Sequence, residues 1–166
     1  MNGTEVLRVL DALEAVGIRV GITGGWGIDA LLRRETRPHG DVDLGVGAED
    51  VDRAIGALWP LGYALTLDER PARVVLQSVD GGVDLHPIVW ESSGAGVQTG
   101  QAGEVFGYPV GGLDAEGRID GRTVRCATPE LQLAFHAHYE PRDHDRLDMA
   151  ALADEFGLPL PPAYVD

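Results

Sequence analysis

Two aspartates one residue apart, inside an otherwise apolar run, constrain this chain more than any other feature. In "GGWGIDALLRRETRPHGDVDLGV", Gly24 to Val46, the segment "DVDLGV" reads as a β-strand. Side chains on a strand alternate faces, so Asp41 and Asp43 point one way while Val42, Leu44 and Val46 point the other, into a core. Two carboxylates on one face repel each other unless a cation or a proton sits between them. Mg²⁺ is the natural occupant, because it takes a few carboxylates together with waters and phosphate oxygens. For a bare D-x-D pair, two solvated edge-strand aspartates are the commoner outcome, so the neighbours of the pair decide.

Three neighbours favour a cation. Gly24 and Gly25 form a turn between the strand "IRVGIT" and the helical run that follows, where backbone N–H groups and a helix N-terminus can meet a phosphate. The alternating strand "GVDLHPIVW" places Asp84 and His86 on one face, with Val83, Leu85 and Ile88 largely off it, and supplies a third carboxylate. Arg37 and His39 precede the pair and can neutralise phosphate charge; for His39, capping a turn is an equal alternative.

Net charge bears on the ligand. With 13 basic and 27 acidic residues the chain carries −14, and its pI is near 4.6. Such a field repels nucleic acid, leaves room for a single nucleotide held by metal and backbone, and favours a cationic small molecule. Cys126 is the sole cysteine, which excludes an internal disulfide and fits a reducing compartment. The opening "MNGTEVLRVLDAL" has no basic start followed by a long apolar run, and no stretch reaches the ~20 apolar residues that span a bilayer. The expectation is a cytoplasmic protein with no membrane and no nucleic-acid partner.

The remaining signals are those of an α/β (α+β) chain. "TEVLRVLDALEAVG" has helical spacing, with Thr4 as candidate N-cap and Gly17 as stop; "EDVDRAIGALWPLG" is a helix closed by Pro60 and Gly62. "YALTL" and "ARVVLQSV" are strands, and "GRIDGRTVRC" is a hairpin turning at Asp120-Gly121. Residues 91–117 are glycine-rich with little periodicity, and read as a long loop with one short strand at "EVFGYPV". Thr128 and Pro129 open a C-terminal helix, and "RDHDRLDMAALADEFG" follows as a second. The expected architecture is a mixed sheet of about five strands flanked by helices, with a C-terminal helical hairpin. The expected division is a catalytic domain over residues 1–125 and a helical segment over 126–166 packed on it.

The run from Gly24 to Val46, "VDLHPI", and the C-terminal "PELQLAFHAHYEPRDHDRLDMAALADEFG" together resemble the small antibiotic nucleotidyltransferases of the polymerase-β-like superfamily. The short lincosamide nucleotidyltransferases are most similar, followed by the aminoglycoside 2''-nucleotidyltransferases. The resemblance implies a nucleotidyltransferase fold and transfer of a nucleoside monophosphate, AMP from ATP or another NTP, to a hydroxyl of a small cationic antibiotic. It implies that Asp41 and Asp43 ligate two Mg²⁺ ions, and that Asp84 ligates the catalytic ion and accepts the hydroxyl proton. Gly24 and Gly25 would hold the triphosphate, with Arg37 and His39 beside it. Trp26 stands where more distant members have a phosphate-touching serine, and packing at the helix start is its alternative role. Asp29 would pair with Arg37. His136 and Tyr139, and Trp90 at the end of the Asp84 strand, would line the nucleotide or acceptor pocket, while His138 and His144 belong to solvated surface. A pocket walled by a small sheet and two helices is shallow, so a homodimer is an expected way to complete it. Within the same chemistry, the alternatives are an aminoglycoside, another metabolite, or a protein target of toxin–antitoxin type. A degenerate domain that only binds nucleotide or drug is the non-enzymatic alternative.

Overall fold

The computed structural model describes residues 1–138 and 140–165. Helix α1 (Gly3–Ala15) buries Val6, Val9, Leu10 and Leu13 on one stripe. Its N-cap is Asn2, whose side chain accepts from the Glu5 amide at 2.9 Å, so Thr4 lies inside the helix rather than capping it. Strand β1 (Val20–Thr23) runs straight into α2 (Gly24–Leu32), and β2 (Asp41–Gly47) follows. After α3 (Val51–Leu58) come β3 (Ala64–Glu69), β4 (Arg73–Ser78) and the ten-residue β5 (Gly81–Trp90). Then come β6 (Gly96–Thr99), β7 (Val105–Tyr108), β8 (Ala115–Ile119) and β9 (Arg122–Cys126). Helices α4 (Pro129–His136) and α5 (Asp143–Phe156) close the chain.

The sheet is mixed and flanked by helices, as expected, but holds nine strands among the described residues rather than about five. Its main path is β3-β4-β5-β2-β1-β9-β8, with β6 added to β5 and β7 to β6. The β2–β5 and β1–β9 pairs are parallel; the others are antiparallel. The β8–β9 hairpin turns at Asp120-Gly121, both with positive φ (48° and 81°), the backbone of a tight two-residue turn. Residues 91–117 are more ordered than their composition suggests. Their strands β6 and β7 have four residues each, and the buried positions of β6 are Gly96 and Gln98, so its burial alternates without any hydrophobic alternation in the sequence.

One buried cluster joins the sheet to the helices. Val42, Leu44 and Val46 are fully buried there, on the face opposite Asp41 and Asp43. Leu133 of α4, with Met149 and Leu152 of α5, belongs to this same cluster, together with Trp26 and Ile28 of α2. Thr128 caps α4, accepting from the Leu131 amide at 3.3 Å, with Pro129 at the first helical position. Among the described residues, no helix is long and apolar enough to cross a membrane.

Candidate active site

Strands β2 and β5 set the centre of the site. They run parallel with Asp43 opposite Asp84, so the two carboxylates share a face. Strand β1 lies on the other side of β2 and pairs Thr23 with Asp43. The chain then turns at Gly24 into α2. Gly24 has φ +59°, and a Cβ there would stand 2.1 Å from Asp43 Oδ2. Only glycine therefore lets the backbone press on this carboxylate. At Gly25 a Cβ would meet the His39 ring at 2.6 Å and the Arg37 guanidinium at 2.9 Å. The Gly-Gly turn is packed directly between the carboxylates and the basic pair.

Gly24→Ala is therefore expected to act twice. The left-handed backbone costs an alanine about 1–2 kcal/mol. Displacing Asp43 by the order of an ångström should lower turnover about 100-fold. Thermal unfolding and turnover measured on the same variant check the two effects separately.

The electrostatics divide the carboxylates. Burial raises the pKa of Asp84, opposed by His86 and reinforced by Asp43. Burial and then the Asp43 charge raise that of Asp41. Asp43 goes the other way. Burial alone would raise its pKa, but the hydrogen bond and charge of His86, with His136 and His39 behind them, hold it below the usual carboxylate range. His86 Nε2 lies 3.1 Å from Asp43 Oδ1. Burial opposes the charged His86 ring, yet its hydrogen bond to Asp43 and the nearby carboxylate charges raise its pKa. Asp84 Oδ2 accepts from Arg73 at 3.4 Å, while its Oδ1 is buried with no partner.

That orphaned oxygen is what a metal ion would satisfy. Asp43, Asp84 and His86 each offer a ligand atom, all within 4.8 Å of one another, and Asp41 lines the same cleft. Oxygen donors under a glycine turn suit a hard divalent cation that keeps waters and phosphate oxygens in its shell.

The cleft around these residues measures about 580 Å³. Gly24, Gly25, Arg37, His39, Asp41, Asp43, Asp84 and His136 all line it. The far wall comes from β6, β7 and α4 through Gln98, Phe106, Tyr108 and Phe135. Phe106 meets Phe135 edge-on at 6.1 Å and His138 at 5.2 Å.

Several expectations are corrected. Trp26 is only 3% exposed and does not line the cleft; it packs in the core against the His39 ring, with centroids 4.9 Å apart. Arg37 pairs with Asp148 of α5, through Nε at 3.1 Å and a terminal nitrogen at 2.9 Å, and not with Asp29. Asp29 instead holds His39 Nε2 at 2.5 Å and accepts from Thr36. Trp90 stands beside a separate cavity of about 340 Å³ with Arg19 and Leu113. It is six residues beyond Asp84, roughly 20 Å along the strand. His138 and His144, expected on open surface, border the cleft. Tyr139 lies outside the described residues.

His86, Gln98, Arg73, Phe106 and Tyr108 are site residues to which sequence reasoning assigned no role, while Phe135, which it offered as an apolar wall for the acceptor, does line the cleft. Alternation put His86 on the face of Asp84, which was a usable signal. Nothing in the 91–117 composition marks Gln98 or Phe106.

A mixed sheet carrying paired carboxylates on adjacent parallel strands, beneath a glycine turn that opens a helix, defines a nucleotidyltransferase. The chain belongs to the aminoglycoside-2''-adenylyltransferase family, whose pattern matches residues 5–152. It is 28% identical over 149 residues to a lincosamide resistance protein of Staphylococcus haemolyticus, covering 89% of this chain and 92% of that one. It is 30% identical over 138 residues to a 2''-aminoglycoside nucleotidyltransferase of Klebsiella pneumoniae, covering 82% and 73%. The lincomycin-bound crystal structure of the lincosamide antibiotic adenylyltransferase LnuA superposes with a TM-score of 0.79 at 28% identity, covering 90% of this chain and 94% of that one.

Proposed function

We propose that the protein transfers AMP from ATP to a hydroxyl of a lincosamide antibiotic. The acceptor oxygen attacks the α-phosphorus, the bond to the bridging oxygen breaks, and pyrophosphate leaves. The observation that carries this reading is the in-register Asp43–Asp84 pair, with Asp84 Oδ1 lacking a partner beneath the Gly24-Gly25 turn.

Two Mg²⁺ ions, when bound, neutralise the triphosphate and lower the cost of forming the alkoxide nucleophile. Asp41, Asp43 and Asp84 are the residues that would hold them. Backbone amides at the start of α2 are the phosphate donors, and the helix dipole adds to their pull. His39, held by Asp29, sits against the same turn. Asp84 takes the acceptor proton. That role asks for a carboxylate within hydrogen-bond reach of the attacking oxygen. Positioning and charge stabilisation carry phosphoryl transfer, so no covalent enzyme intermediate is needed.

The acceptor assignment rests on the character of the far wall. Phe106, Tyr108 and Phe135 offer an apolar, aromatic surface of the kind a lincosamide's propylproline arm needs. An aminoglycoside, with several ammonium groups, needs several carboxylates. Apart from the aspartates assigned to the cation, the acids that line the cleft are Glu104 and Asp145. Asp145 already accepts from the Arg142 amide at 2.9 Å. The likeness to a lincomycin-bound adenylyltransferase supports the same choice.

The test is pyrophosphate release from ATP with each candidate acceptor. Lincomycin or clindamycin is expected to exceed kanamycin or tobramycin in kcat/KM by about tenfold or more, the scale of discrimination available to a shaped apolar pocket. Robust transfer to tobramycin with none to lincomycin would reverse the assignment. Transfer to neither would point to another metabolite or to a protein target.

A further inference from the structure

The cluster of Asp43, Asp84 and His86 invites the reading that His86 is itself a metal ligand. The hydrogen bonds behind the ring argue otherwise. Gln98 of β6 is 9% exposed, and its side-chain nitrogen lies 3.1 Å from His86 Nδ1 and 3.2 Å from the Ala72 carbonyl oxygen. Its side-chain oxygen accepts from the Tyr108 hydroxyl at 2.7 Å.

The Ala72 carbonyl fixes which way the amide faces. With the amide turned over, its oxygen would stand 3.2 Å from a carbonyl oxygen, two acceptors with no proton between them. Tyr108 is 3% exposed, and burial pushes its phenol well up, so it remains an O–H donor. The amide oxygen is therefore committed to Tyr108, and the NH₂ group to Ala72 and His86. A ring nitrogen facing an NH₂ group must offer its lone pair. Nδ1 of His86 is then the acceptor, and the proton of the neutral ring sits on Nε2, facing Asp43 Oδ1 at 3.1 Å.

We infer that Gln98 is a positioning residue of the transfer site: it holds His86 in the Nε2–H tautomer, so that His86 donates to Asp43 and does not itself bind the cation. The inference rests on reading Asp43 and Asp84 as the cation-binding carboxylates. Its consequence is selectivity. With Nε2 of His86 protonated, the Asp43–Asp84–His86 cluster turns only carboxylate oxygens towards a cation, which suits Mg²⁺ and denies Zn²⁺ or Co²⁺ the His86 nitrogen. The carboxylate that receives the Nε2–H is also held in one orientation, the usual work of groups behind a metal ligand.

The decisive measurement is the ¹⁵N NMR signature of the His86 ring in the cation-free protein. It is recorded on the alkaline side of the ring's titration, so that tautomer and not charge is read, and assigned with His86→Gln. The expected result is an unprotonated Nδ1 and a protonated Nε2. A protonated Nδ1 in the wild type would overturn the inference, and this needs no variant to fold. Gln98→Met keeps side-chain length but removes the donor, and is expected to leave a mixture of tautomers. Where the tautomer is mixed, part of the population has Nε2 free as a ligand, so Co²⁺ should bind Gln98→Met more tightly than the wild type, with an absorption band reporting nitrogen coordination. An unchanged tautomer in Gln98→Met, or unchanged Co²⁺ affinity, would sink the inference. For Gln98→Met a fall of about tenfold in kcat with little change in the KM for ATP is expected. A wild type that transfers AMP to no acceptor would refute the transferase reading while the ring's signature still decided the tautomer.

Discussion

Asp43→Asn should lower turnover by at least about 1,000-fold, because it removes charge at the point where β2, β5 and the Gly24 turn converge. Its effect on stability should differ in sign from that of Asp41→Asn. The folded protein favours ionised Asp43, since His86 lies 3.1 Å away and the charges of His136 and His39 add to it. It disfavours ionised Asp41, which is burdened by burial and by Asp43 itself. Without a divalent cation at neutral pH, Asp43→Asn should therefore lower the thermal midpoint, and Asp41→Asn should hold or raise it.

The pH dependence follows from the same directions. An acid whose folded pKa is depressed contributes stability above its ordinary value and loses it as the pH falls through the depressed one. The deficit of Asp43→Asn should thus narrow in acid. An acid whose folded pKa is raised penalises the fold at neutral pH, and is relieved as the pH falls through the raised value. The gain of Asp41→Asn should narrow too, beginning at higher pH. Near-normal turnover of either variant at saturating Mg²⁺ would remove the two-metal reading. A stabilised Asp43→Asn would show that repulsion from the other carboxylates outweighs the His86 pair.

Asp84→Asn is expected to cut kcat by about 100- to 10,000-fold, the range that a positioned general base contributes. ATP affinity, measured on the same protein, should change far less, because the phosphate contacts assigned to the start of α2 remain. Arg73, which now donates to Asp84 at 3.4 Å, also reaches Glu69 at 3.0 Å and keeps that partner in the variant. Loss of ATP affinity at unchanged turnover would move Asp84 from the chemical step to ground-state binding.

What the sequence determined by itself is the part of the site governed by local rules. Period-two alternation put Asp41 and Asp43 on one face and Val42, Leu44 and Val46 in the core, because a strand has no other way to arrange them. The same rule set His86 beside Asp84. The glycine pair marked a turn that only small residues can make, and the overlap at Gly24 gives the reason. Thr128 and Pro129 announced α4 through cap chemistry that reaches no further than the first turn. What only the tertiary structure decided are the pairings between distant segments. Arg37 meets Asp148, 111 residues away, and Asp29 takes His39 instead; neighbours in sequence gave the opposite expectation. Trp90 lines another cavity because β5 is ten residues long, and reaches the cleft wall only through an edge-on contact with Tyr108. Gln98 and Tyr108 came to His86 because two short strands, with no periodicity of their own to read, pair onto the end of β5. Alternation and capping are fixed within a few residues, and so can be read along the chain. The partner of a buried polar group is fixed by which strands lie side by side, and this the fold sets as a whole.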